Sequence, residues 1–310
     1  MANSTDRTSV RLLAVIVLYK MHPSESVALK TFRTAISDLQ DGEADITLLL
    51  YDNTPGGQDA GVLPPDLQYQ SDIDNGGLAK AYNYALAIAD KEGFDWLLTL
   101  DQDTSLPVDF LRKLCHAVAF VAPLNTVAAI VPLISGGGRL LSPSDRNFCE
   151  RRQRFSDGFI GIPPGAVYAA NSASTLRVRA LQSLGGYDPR FPVWASDLVM
   201  FRRLYDHRFR IFVAGNIQVE HEVSVLDLKN RSTSARYEDM LRAEEAFYDE
   251  YMGRADHVAL LLIMLRRLTY ELPRTGGSLP YFQIAFRFLC RSLFFSRKHR
   301  IESWKQYYLL

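Results

Sequence analysis

The chain has 310 residues, with Lys+Arg 35 against Asp+Glu 35 and a formal net charge of zero. That balance excludes a dedicated nucleic-acid binder, which needs surplus cations to displace counterions from phosphates. Hydrophobic residues at 47% and charged residues at 23% exclude broad disorder, and the length suits one large domain or a domain with an appendage.

The first ten residues are polar and lack the apolar core of a signal peptide. Residues 12–18 (LLAVIVL) read as a strand buried on both faces, and 25–39 carry helical periodicity. A second buried strand at 46–51 ends at Asp52-Asn53, and Pro55-Gly56-Gly57 makes a loop. Residues 78–91 form an amphipathic helix, 96–100 a strand ending at Asp101, 107–121 a helix with Pro in its first turn, and 127–133 another strand. Residues 135–165 are loop-like, with Gly136-Gly137-Gly138, Arg146, Arg151, Arg152, Arg154 and Pro163-Pro164-Gly165. The pattern resumes with a strand at 166–171, a helix near 177–184, a stop at Gly185-Gly186, a helix at 196–206 and a strand at 210–214.

Strand–helix alternation of this kind predicts a mostly parallel sheet with helices on both faces. Ligands of such sheets bind outside the carboxyl ends of strands, where Asp52 and Asp101 both fall. After about residue 225 the composition changes to helices at 235–252, 256–270 and 281–295. Residues 256–300 carry eight Lys/Arg (266, 267, 274, 287, 291, 297, 298 and 300) against Asp256 and Glu271. A basic, aromatic helix at 281–295 suits an anionic membrane interface; packing on the preceding domain or forming a homodimer face are the alternatives. Cys115, Cys149 and Cys290 lie far apart in no zinc or disulfide pattern, as idle thiols in a reducing cytosol would. No apolar run reaches the roughly 18 residues of a spanning helix, so a cytoplasmic location is expected, with peripheral contact on the inner face of the plasma membrane through 256–300.

Two elements carry chemistry. Asp101-Gln102-Asp103 puts carboxylates at i and i+2 on a strand end, where they can face one hard cation, Mg²⁺ or Mn²⁺, beside phosphate oxygens. In Asn75-Gly76-Gly77-Leu78-Ala79-Lys80 two glycines precede a helix, so either a diphosphate approaches exposed N–H groups or Asn75 simply caps the helix.

VIVLY (residues 15–19), Asp52-Asn53, the spacing Asn75-Gly76-Gly77-x-Ala79-x-Ala81-x-Asn83, and Asp101-Gln102-Asp103 resemble, in order and spacing, the family 2 glycosyltransferases. The nearest branch is the rhamnosyltransferase-like enzymes of bacterial surface polysaccharides. Gly185-Gly186-Tyr187-Asp188 is similar to that family's GGFD turn; Asp197 matches the second acid of a later motif, Arg202 or Arg203 its arginine, and His221 a histidine after the last strand. The resemblance covers residues 11–225 and implies a GT-A fold, with a donor half at 11–133 and an acceptor half at 134–225. Residues 1–10 would be a polar tail and 226–310 a C-terminal helical extension.

The resemblance further implies a nucleotide-diphosphate sugar, dTDP-rhamnose or a UDP-sugar, transferred with inversion to a glycan or lipid-linked glycan. Tyr19, Asp52 and Asn75 would surround base and ribose, with Gly77, Lys80 and Gln102 on the donor side and Asp101 near ribose or sugar. Asp103 would hold the metal with His221, Asp197 would be the base, and Trp194 and Ser172 would lie on the acceptor side. The chain departs from the family at Trp194, where an acid is common, and at Ser172-Ala173, where Ser-Gly is common; it lacks the QxxRW motif of processive synthases, which favours single addition. A nucleotidyltransferase is the alternative enzyme, although Tyr19-Lys20-Met21-His22-Pro23 is not its glycine-rich loop. A catalytically inactive glycan-binding or scaffold protein is the alternative if the acids are incidental.

Overall fold

A computed structural model describes residues 10–40, 42–144, 155, 158–221, 233–275 and 279–309. Residues 1–9, Arg146, Cys149, Arg151, Arg152, Arg154, Glu222 and Gly276-Gly277 lie outside the described residues. Strand β1 (Val10–Leu18) leads to helix α1 (Val27–Ser37), whose cap Ser26 accepts from the Leu29 N–H. Then come β2 (Ala44–Asp52), β3 (Leu67–Ser71), α2 (Gly77–Glu92), β4 (Trp96–Asp101), the short β5 (Thr104–Ser105) and α3 (Phe110–Val121). The next elements are β6 (Val127–Gly136), β7 (Arg139–Ser142), β8 (Ile160–Gly161), β9 (Ser174–Arg177), α4 (Val178–Ser183), α5 (Ser196–Asp206) and β10 (Arg210–His221). The rest is helical: α6 (Ser234–Tyr251), α7 (Arg254–Arg266), a π turn (Arg267–Glu271), α8 (Leu272–Thr275), α9 (Leu279–Phe294) and α10 (Arg297–Leu309).

The strands form one sheet in the order β3-β2-β1-β4-β9-β6-β10-β5, with β7 on β6 and β8 on β10. Its long pairings, β1 with β2 and β4, β2 with β3, and β6 with β10, are parallel. β9 runs antiparallel between β4 and β6 and joins the two parallel groups. Residues 166–171 are therefore not the expected strand. Their carbonyls are taken by hydroxyls, Asn171 O by Thr99 and Ala170 O by Ser174, and only Tyr168 makes a bridge, to Ser144. Part of the expected 135–165 loop is strand, since Arg139–Ser142 folds back on β6.

The sheet is covered on both faces. Period-two alternation sends Leu13, Val15 and Val17 into one core cluster and Leu12, Ala14, Ile16 and Leu18 into the other. Each residue from 12 to 18 is at most 5% exposed. Each large aliphatic among them contributes about 1.5–3 kcal/mol by burial. Phe32 of α1 and Phe110 of α3 fill the second cluster, and Tyr82 of α2, Leu181 of α4 and Met200 of α5 the first.

That first cluster continues without a break through Leu241, Phe247, Leu260, Phe288 and Trp304, so the C-terminal helices pack on the sheet domain. Charge reinforces the contact. Arg287 pairs with Glu238, Arg267 with Glu244, Arg291 with Glu245 and Arg300 with Asp249, and all four acids belong to α6. Four of the eight basic residues of 256–300 are thus paired with acids of α6. Among the described residues no helix is long and apolar enough to cross a membrane.

Candidate active site

Alternation along β4 puts Asp101 on the face of Leu97 and Thr99, under α2. β5 then turns back antiparallel against the end of β10, pairing Thr104 with His221. This pairing delivers His221 to the acidic turn: its Nε2 lies 3.7 Å from Asp101 Oδ2 and its Nδ1 3.4 Å from Asp103 Oδ1. One ligand atom from each of Asp101, Asp103 and His221 falls within 4.8 Å of the others. Two carboxylate oxygens and an imidazole nitrogen are a donor set for Mn²⁺ or Mg²⁺. His221 Nδ1 is buried without a hydrogen bond, and in the neutral tautomer protonated at Nε2 a cation would satisfy it. Burial holds Asp101 above the usual carboxylate range, with His221 opposing and Asp103 adding to the rise.

Beneath the acids lie two buried tyrosines, Tyr82 and Tyr187, with ring centroids 4.9 Å apart. Burial raises both phenols, and the charges of Asp101 and Asp197 raise them further, so the two acids flank the same aromatic floor. Asn83 fixes this floor: its Nδ2 donates to Tyr187 O at 2.9 Å and its Oδ1 accepts from Tyr187 N at 2.7 Å. Gly186 has φ +77° and approaches so closely that a Cβ would sit 2.3 Å from Asn83 Oδ1. Arg203 closes the same turn by donating to the carbonyls of Gly186 and Leu184.

From Tyr187 a chain runs to the start of α5. Its hydroxyl donates to Asn171 Oδ1 at 3.2 Å, and Asn171 Nδ2 donates to Ser196 Oγ at 2.9 Å, next to Asp197. Asp197 is half-buried in the first turn of α5 and follows Ala195, which has φ 59°. Lys20, Asn75 and Ala173 share this left-handed backbone near the carboxyl rim of the sheet or the start of α2, as does Arg208 in the turn before β10. Non-glycine residues held so cluster at functional sites.

The expected donor residues divide. Asp52 is fully buried, and its carboxylate accepts from Thr54 N at 2.9 Å and Tyr69 OH at 2.7 Å. It shares the sheet's rim with Asp101 but does not join the acid group, because β2 alternation turns it toward the α1 and α3 face with Leu48 and Leu50. Gln102 holds the end of β1: its Oε1 accepts from Tyr19 N at 2.7 Å. Tyr19 itself is 42% exposed, with Lys20 Nζ 5.2 Å from its ring centroid.

The start of α2 already holds an internal anion. Asp72, which the sequence reading passed over, accepts from Gly76 N at 3.0 Å, Tyr51 OH at 3.0 Å and Lys80 Nζ at 2.8 Å. Ala79 N donates to Pro192 O at 3.0 Å, and a Cβ on Gly77 would lie 2.6 Å from that carbonyl. The glycines and Lys80 are therefore explained first by packing, while Asn75 stays exposed. Asn53, next to Asp52, is 3% exposed with its Oδ1 unpartnered.

On the other side, Ser172 is fully buried and bonded to the Thr104 hydroxyl, so it supports the metal-side turn from behind and is out of an acceptor's reach. Trp194 is half-buried, with the Arg236 guanidinium of α6 5.8 Å from its ring centroid. Tyr82, Asn171 and Asp72 carry no sequence signal of these contacts, and Tyr187 is legible only as part of the Gly185–Asp188 turn. Tyr82 and Asp72 sit inside the Asn75–Asn83 neighbourhood, yet they look like ordinary helix and turn residues there.

No family model matches the chain, and no curated protein matches it. Solved structures do. GalNAc-T7 with UDP, GalNAc and Mn²⁺ matches with a TM-score of 0.55 at 16% identity, over 93% of this chain and 58% of that one. S. aureus TarS 1-349 matches with a TM-score of 0.48 at 12% identity, over 96% of this chain and 92% of that one. The fold is GT-A: a mixed central sheet with helices on both faces, as the resemblance implied.

Proposed function

We propose that the chain is a metal-dependent, inverting glycosyltransferase acting on a nucleotide-diphosphate sugar. The observation that carries this reading is the group Asp101, Asp103 and His221 at the carboxyl edge of the sheet, with Asp197 across the same tyrosine floor. A GT-A neighbour solved with UDP, GalNAc and Mn²⁺ supports the choice of donor and ion. Mn²⁺ or Mg²⁺ held by the three residues would offset charge on the donor diphosphate.

Asp197 takes the proton of the acceptor hydroxyl. That oxygen forms a bond to the anomeric carbon as the carbon–oxygen bond to the diphosphate breaks, and the electron pair leaves with the phosphate oxygen. Such a base contributes typically about 10²–10⁴-fold, and fixed alignment of the reactants supplies much of the rest. Tyr19 and Asn75, both exposed at the rim, are the donor contacts, with Trp194 on the acceptor side. Asp52, Gln102, Gly77 and Lys80 shape the donor side through Tyr69, Tyr19, Pro192 and Asp72.

The motif resemblance favours rhamnose as the sugar and a surface-polysaccharide or lipid-linked glycan as acceptor. For a lipid-linked acceptor, α7 and α9 supply a membrane contact through Leu262, Leu265, Phe286 and Phe294, each at least 49% exposed. Asp197→Asn is the test of mechanism: donor binding stays intact and turnover falls by roughly 10²–10⁴. Near-normal turnover removes Asp197 as the base.

A further inference from the structure

We propose that Asn171 is a positioning residue for Asp197: through Ser196 it ties the entry of α5 to β4, and so fixes where the Asp197 carboxylate stands. The inference rests on the transferase reading for the role of Asp197, and it adds a residue that no motif assigned.

Asn171 is 6% exposed, and both ends of its amide are committed. Ser196 Oγ gives its one proton to Val193 O at 3.1 Å, so it can only accept from Asn171 Nδ2, at 2.9 Å. That leaves Asn171 Oδ1 to accept from the Tyr187 hydroxyl at 3.2 Å. The backbone around Asn171 is held to β4: its carbonyl accepts from Thr99 Oγ1 at 2.5 Å, and Ala173 N donates to Thr99 O at 2.8 Å. Thr99 stands two residues before Asp101, on the same face of the strand.

The bond from Asn171 to Ser196 lies between two left-handed turns. Ala173, two residues after Asn171, has φ 59°, and Ala195, the residue before Ser196, also has φ 59°. Alanine does not adopt this backbone by preference, so each turn is held by its surroundings. α5 begins at Ser196, and Asp197 follows in its first turn. Without the Asn171 amide, the Ser196 side chain keeps only its bond to Val193, inside its own turn. A reacting group misplaced by about 1 Å costs on the order of 10²-fold in rate.

The test is turnover by the full chain with Mn²⁺ and water as acceptor, read as nucleotide released from UDP-GlcNAc and from dTDP-rhamnose. Asn171→Ala and Ser196→Ala each lower kcat by about 10–10²-fold and leave the donor KM at the wild-type value. Ser196→Ala removes one hydroxyl and little volume, so it reports even if Asn171→Ala does not fold. In an Asp197→Asn background neither substitution lowers kcat further, because the group it positions is already disabled. Wild-type kcat in Ser196→Ala overturns the inference and leaves the transferase reading standing. An undiminished fall in the Asp197→Asn background, or a raised donor KM, also overturns it, because either reports general damage to the site. Wild-type kcat in Asp197→Asn alone removes Asp197 as the base and the inference with it. A wild-type chain that releases no nucleotide from either sugar sinks the transferase reading as well.

Discussion

The Asn83–Gly186 contact offers a sharp energetic test of how the site is held. Asn83→Ala removes two hydrogen bonds to the Tyr187 backbone, at 2.9 and 2.7 Å. Each is worth about 1 kcal/mol net, and leaving a partly buried peptide group unpaired adds about 1 kcal/mol or more, so the loss is about 3 kcal/mol. With an unfolding entropy of about 2.1 cal/mol/K per residue, that lowers Tm by roughly 5 °C. Gly186→Ala adds a left-handed alanine, costing about 1–2 kcal/mol. Its Cβ would also lie 2.3 Å from Asn83 Oδ1, so it displaces the amide and loses the same two bonds. The double variant loses them only once. Urea unfolding of the four proteins should therefore give a combined cost about 3 kcal/mol smaller than the sum of the single costs. Additivity within about 0.5 kcal/mol would refute the claim that these residues hold one another in place.

Asp188 supplies a pH test. Burial raises its carboxyl, but hydrogen bonds from Arg190 and Tyr251 outweigh that and hold it below the usual range. Its contribution is therefore fully present above the unfolded value of about 3.9 and fades as pH falls through the lower folded value. The Tm gap between wild type and Asp188→Asn should be constant near neutrality and close on the acid side; a gap unchanged at about pH 3 contradicts this. Arg267, Arg287, Arg291 and Arg300 are paired with α6 acids, so the liposome contact proposed above rests mainly on apolar side chains. It should survive about 0.5 M salt and be lost in a Phe286→Glu/Phe294→Glu variant. Binding that salt abolishes, or that the double variant retains, rules out the apolar contact.

Much of the fold was legible because burial on two faces leaves unbroken apolar runs. Residues 12–18 and 46–51 lie inside β1 and β2 as read, and the periodic stretch 78–91 inside α2. β3 was not legible: LQYQS is a half-buried edge strand with few apolar residues. α10 was hidden in a polar segment that is held by the single buried anchors Arg300 and Trp304. The acidic turn was readable from its place at a strand end and His221 only through the family resemblance; the structure brings them together through one short strand pairing. Asp52 and Ser172 show the limit. A carboxylate at a strand end looks the same in sequence whether it faces a ligand or a tyrosine from the next strand. A serine before a short strand gives no sign that a threonine across the sheet takes its hydroxyl.

The central claim is that Asp101, Asp103 and His221 hold a divalent cation against a nucleotide diphosphate. It is tested most directly by isothermal titration of UDP and dTDP into the full chain, with and without Mn²⁺, for wild type and Asp103→Ala. The account predicts that one nucleotide binds wild type more tightly when Mn²⁺ is present and that Asp103→Ala erases this difference. Nucleotide affinity that ignores Mn²⁺ in wild type, or an Mn²⁺ dependence that survives in Asp103→Ala, contradicts it.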